Sequence, residues 1–225
     1  MYIMANIKGD NANEVDKLIE ICYYNIISIL KIKGDLDMNK ILEEIKTPQE
    51  LLNYLNQHNF KYGYVGKNNG KVYSDNDSDY GRYFAQEYHL QTPEELLASG
   101  IGICWDYAEL ARDWFKQHNY EFNFYGMVVQ PKNKSIHNNL ITHTFVAYKQ
   151  ANKWYWFEYA FAKQRGIHTF NSLDELLKTI QVKQLEWAID QGITDNLNDI
   201  KVWEYEFPKS RDPKSIINSF IAKLN

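Results

Sequence analysis

The chain has 225 residues, 44% of them hydrophobic and 15% aromatic, and a formal net charge of −4. This composition suits one compact globular domain with a full core, and it excludes a disordered or collagen-like chain. The scattered basic residues offer no footprint for nucleic acid, and two cysteines, Cys22 and Cys104, are too few for a disulfide framework, which points to a reducing compartment.

The N-terminal stretch Met1–Ile7 lacks a basic leader, and no run approaches the ~18 apolar residues of a spanning helix. A soluble, cytoplasmic protein with neither membrane nor nucleic acid as partner is expected. Apolar residues then recur with helical period at Val15, Leu18, Ile19, Cys22, Ile26, Ile27 and Leu30, closed by Gly34. Cys22 lies in that stripe and reads as a packing thiol. Thr47-Pro48-Gln49-Glu50 announces a helix with a capping oxygen, a proline at its first position and a reciprocal glutamate. Tyr62–Val65 and Lys71–Tyr73 flank Asn68-Asn69-Gly70, a hairpin signal.

Asp75, Asp77 and Asp79 alternate like the opening of a calcium loop, but Tyr80 and Gln86 replace its glycine and its final glutamate. A solvated acidic turn is expected there. Neither cysteine is paired at zinc-ligand spacing, so no metal and no cofactor are predicted. Thr92-Pro93-Glu94-Glu95 repeats the helix-start grammar, and a helix from Cys104 to about Gln117 follows.

Three strands are predicted next, at Phe122–Val129, Leu140–Lys149 and Trp154–Phe161. Ser172 with Glu175 forms a further capping box, Val202–Phe207 a fourth strand, and Asp212-Pro213 opens the last helix. Helices at both ends of an antiparallel meander make the class α+β. Within a single domain, residues 1–60 read as a helical extension, 60–170 as the core, and 171–225 as C-terminal helices and a strand.

Three residues carry chemistry. The stretch Ser99-Gly100-Ile101-Gly102-Ile103-Cys104 delivers a lone thiol to the first turn of a helix. Unpaired N–H groups and the positive dipole end favour a thiolate there. His143 follows in an alternating apolar strand and Glu158 in the aromatic strand after it. A turn at Gln150–Lys153, or at its inner two residues, pairs Lys149 with Trp154 and makes His143 and Glu158 diagonal neighbours on one sheet face. A one-residue bulge would separate them. Thiol, imidazole and carboxylate then serve as nucleophile, base and orienting group, with the Cys104 amide as one oxyanion donor and the second unplaced. Asp106 reads as a first-turn carboxylate favouring the helix dipole. Of the other histidines, His137 belongs to a polar stretch. His168 has no assigned role, and His58, His89 and His118 sit at element ends, where solvent or a carbonyl satisfies them.

The runs Gly102-Ile103-Cys104-Trp105-Asp106-Tyr107-Ala108, Thr142-His143-Thr144-Phe145 and Trp154-Tyr155-Trp156-Phe157-Glu158-Tyr159 resemble the core of the transglutaminase-like superfamily. The separations, 39 residues from Cys104 to His143 and 15 more to Glu158, resemble its layout. The resemblance implies a papain-like core, the nucleophile helix packed on an antiparallel sheet. It also implies catalysis by Cys104, His143 and Glu158 on an amide or peptide carbonyl through a thioester, with a protein or peptide as substrate. The third position is usually Asp in that family, and Glu158 departs from it. That departure keeps open an inactive binding or scaffold module. Arylamine N-acetyl transfer is a further reading with the same residue types.

Overall fold

The computed structural model describes residues 38–132 and 141–224. The predicted helix bearing Cys22, its Gly34 stop and His137 lie outside the described residues.

Among the described residues two helices come first, α1 (Met38–Glu44) and α2 (Pro48–Gln57). The hairpin β1 (Lys61–Val65) and β2 (Val72–Ser74) leads to α3 (Tyr80–Glu87) and α4 (Pro93–Ser99). A two-residue strand β3 (Ile101–Gly102) precedes the helix α5 (Cys104–Gln117). Then come β4 (Glu121–Val129), β5 (Ile141–Gln150), β6 (Lys153–Glu158), β7 (Gly166–Phe170), α6 (Leu173–Asp190), β8 (Ile200–Glu204) and α7 (Pro213–Ile221). The class is α+β, as expected.

Local chemistry explains the helix starts. Thr47 and Thr92 each accept from the amide three residues on, while Glu50 and Glu95 reach back to the threonine amides. The Ser172 cap is only half of the predicted box. Ser172 accepts from the Glu175 amide, but Glu175 turns to the amide of Asn171. Asp212 caps α7 through the Ser215 amide at 2.8 Å.

The main sheet runs β7-β6-β5-β4-β8, antiparallel throughout. The β5–β6 turn uses only its inner residues, Ala151 and Asn152, both at positive φ (49° and 61°). Such a turn matches the twist of the paired strands and sets Lys149 opposite Trp154 without a bulge. Helix α5 packs on one face, against Phe124, Val128, Val146, Tyr148 and Phe157. Helix α6 packs on the other, where Leu176, Ile180 and Ala188 meet Tyr125, Phe145 and Trp156. A second, three-stranded sheet has the order β2-β1-β3, with β1 and β3 parallel.

Several boundaries differ from expectation. β6 stops at Glu158 rather than Phe161, because the chain turns there into a short 3-10 segment at Ala162–Gln164. β8 covers Ile200–Glu204 rather than Val202–Phe207; Tyr205 and Phe207 instead pack as rings against Phe124. Strands β3 and β7 and helices α1 and α3 were not anticipated from sequence. In the acidic turn, Asp77 and Asp79 face Lys71 at 3.7 and 3.3 Å. No group of His, Cys, Asp and Glu suited to a metal occurs among the described residues. Nor is any described helix long and apolar enough to cross a membrane.

Candidate active site

The turn that presents Cys104 is held by polar bonds on every side. Gly100 ends α4 in the left-handed region (φ 65°), which favours glycine. A Cβ on Gly102 would fall 2.6 Å from Leu96 Cδ1 and 3.0 Å from Asp106 Cβ, so a glycine is needed for close approach. Gln91 Nε2 donates to the Ile101 carbonyl at 2.8 Å, and Ser99 Oγ donates to Gln91 Oε1 at 2.8 Å.

Asp106 does more than meet a helix dipole. It is buried, and it accepts from the Ile103 amide at 2.8 Å, the Gln91 amide at 2.8 Å and the Tyr88 hydroxyl at 3.0 Å. Burial raises its carboxyl to about 7, against the pull of those donors. One carboxylate thus ties the first turn of α5 to the loop before α4. Arg211, from the segment leading into α7, donates to the Leu90 carbonyl at 2.6 Å and to the Gln91 carbonyl, and so straps that loop from outside.

Cys104 occupies the first position of α5, buried at its N-terminus. Its carbonyl accepts from Thr144 Oγ1 at 2.9 Å, and its Sγ lies 3.9 Å from the Thr142 carbonyl. Trp105 Nε1 donates to Thr142 Oγ1 at 3.2 Å. These contacts from Thr142 and Thr144 bracket His143 and dock the start of α5 on the start of β5.

His143 Nε2 and Glu158 Oε2 stand 2.8 Å apart, and both residues are buried. The diagonal pairing expected from strand parity is present. Glu158 Oε1 accepts from the Phe161 amide at 2.8 Å, so the turn that ends β6 also fixes the carboxylate. The longer glutamate arm therefore reaches the imidazole with both oxygens bonded. Burial works against charge on the His143 ring, but the Glu158 carboxylate and then the neighbouring Cys104 side chain outweigh it and raise the ring to about 10. With Nε2 taken by Glu158, Nδ1 is the nitrogen left for the thiol.

Tyr62 and Tyr80 complete the surroundings and were missed in the sequence. Tyr62 lines the same cleft as Tyr80 and Cys104; desolvation, then the neighbouring Cys104 and Tyr80, push its phenol well up. No spacing links residues 62 and 104, because the parallel β1–β3 pairing that joins them is not local. The thiol opens onto a cleft of about 370 Å³ between α3, the start of α5, the start of β5 and α7.

The remaining histidines stand apart. His58 and His118 Nδ1 each meet the carbonyl four residues earlier at 2.9 Å, as expected at helix ends. His89 departs from that expectation: its Nδ1 is buried without a partner, and its Nε2 is 3.7 Å from Glu95. His168 bonds the Gln164 carbonyl at 2.7 Å and packs on Trp156, away from the thiol.

Comparison with known proteins gives a family match. The family model described as Transglutaminase-like domain matches residues 27–164, which include Cys104, His143 and Glu158 but not α6, β8 or α7. No curated protein matches the chain.

Proposed function

Because this chain belongs to the transglutaminase-like domain family, we propose that it is a cysteine enzyme acting on the amide or peptide carbonyl of a protein or peptide. Cys104 is the nucleophile, His143 the proton carrier and Glu158 the group that orients and charges the ring.

The observation that carries this reading is the buried 2.8 Å His143–Glu158 pair, with the Cys104 thiol 3.9 Å from the carbonyl of Thr142, the residue before His143. A ring raised to about 10 is protonated at neutral pH, and an imidazolium is the partner that a cysteine nucleophile uses. The thiolate adds to the carbonyl carbon, and the oxyanion takes hydrogen bonds from the Cys104 amide and the Tyr62 hydroxyl. His143 then gives its proton to the departing nitrogen as the C–N bond breaks, leaving a thioester. Water or an amine attacks the thioester, His143 takes the incoming proton, and the thiolate departs. The glutamate in place of the usual aspartate fits the same scheme, since both of its oxygens are bonded.

The test is alkylation of Cys104 by iodoacetamide at pH 6–7, followed by mass spectrometry, in the wild type and His143→Ala. The expected outcome is a wild-type rate well above that of glutathione and a drop of about tenfold or more without His143. A slow Cys104 that ignores His143 would overturn the proposal.

A further inference from the structure

The cleft beside the thiol is built of uncharged side chains. Tyr80, Gly81, Phe84 and Ala85 line it from α3, Trp105 from α5, and Ile217 from α7. At its inner end the Trp105 indole N–H binds Thr142, and Tyr62 neighbours Tyr80 and Cys104. The ring of Phe84 stands 5.7 Å from that of Trp105, at 71°, so the wall is a rigid aromatic surface. At about 370 Å³ the cleft is at the small end of the ~300–1,000 Å³ usual for small-ligand sites. It suits one large side chain and its amide.

Resting on the function proposed above, we infer that this cleft receives an apolar, aromatic side chain of the substrate residue adjoining the scissile carbonyl. A carboxylate or ammonium there would lose water and find no opposite charge among the described lining residues, so charged side chains are rejected. Helix α7 shares in this selection. It lies beyond the matched residues 27–164, and its Phe220 stacks 6.1 Å from Trp105 while Ile217 faces the cleft. The substrate preference is therefore a property of this chain's C-terminal helix as well as of the shared core.

Gly81 supplies a clean test. A Cβ there meets no atom within 4 Å, so Gly81→Leu fills the cleft at little cost to a helix that glycine itself weakens. Binding is measured on Cys104→Ala protein, in which no reaction intervenes, by the NMR shift of the Trp105 indole N–H. The probes are N-acetylphenylalaninamide and the corresponding amides of aspartate and lysine. The phenylalanine amide is expected to bind at least tenfold more tightly than either charged amide, and Gly81→Leu to weaken it by tenfold or more. Equal binding of the three, binding of none, or unchanged binding in Gly81→Leu overturns the inference. Iodoacetamide reactivity of wild-type Cys104 judges the catalytic proposal separately, because that small reagent does not need the cleft.

Discussion

The two faces of the five-stranded sheet are built differently. The α6 face is packed from Tyr125, Met127, Phe145, Trp156, Leu176 and Ile180, and of α6's own residues the only buried polar one is Gln184. The α5 face also holds a large aromatic core, yet α5 buries Asp106 and Glu109 beside Cys104. Buried charge costs free energy unless it is bonded, and each of these acids is bonded: Asp106 to three donors, Glu109 to Arg112 at 2.7 and 2.9 Å. The α6 face also carries His143 and Glu158 at its end, since strand alternation sets them with Phe145 and Trp156 and His143 pairs with Met127. The α5 face accepts the cost of buried polar groups in order to hold a thiol still.

The largest break of that comparison is Asp106→Ala. It strands two buried amides and the Tyr88 hydroxyl, and a loss of about 3–5 kcal/mol is expected in urea unfolding. Leu176→Ala on the opposite face should cost about 2–5 kcal/mol by leaving a cavity, while the folded protein keeps its Cys104 alkylation rate. A fall in that rate would show that the packing beneath Phe145 and Trp156 also sets the His143–Glu158 pair on the same face.

A pH series sharpens the same contrast. Asp106 is raised by burial to about 7, above an unfolded value of about 3.9. The native state therefore holds the extra proton, and this contribution is full below about pH 4 and lost as pH rises through 7. His143, at about 10 against an unfolded value of about 6.5, contributes fully below about 6.5 and loses its contribution as pH rises through 10. The stability of wild type relative to Asp106→Asn should thus decline from pH 4 to pH 7, as read from urea midpoints. A difference that stays flat would refute the buried-acid account.

Smaller effects follow. Glu158→Gln keeps an oxygen for the Phe161 amide but removes the charge beside His143, so Cys104 alkylation at pH 7 should slow about tenfold with little change in fold. Ile189→Lys, on the outer side of α6 and 52% exposed, should change stability by no more than about 0.5 kcal/mol.

Much of the fold was legible because its signals are local. Threonine-proline-glutamate helix starts, a two-residue turn and strand alternation each act over a few residues, and they carried the His143–Glu158 pairing through to a 2.8 Å contact. β3 was illegible because two residues show no alternation, and β7 because it lies at a sheet edge with a half-exposed pattern. The sequence shows Asp106 only as a first-turn dipole partner because its donors, Tyr88 and Gln91, come from a loop whose approach no local spacing reveals.

The sequence by itself determined the α+β class, the position of Cys104 at a helix start and the shared face of His143 and Glu158. All three follow from periodicities of one chain segment or of two strands joined by a tight turn. Tertiary structure alone decided that Tyr62 meets the thiol, that Asp106 latches the first turn, and that α7 walls the cleft. Tyr62 lies 42 positions before Cys104, Tyr88 and Gln91 lie 18 and 15 before Asp106, and Phe220 lies 115 after Trp105; only the packing of helices on a twisted sheet brings such residues together.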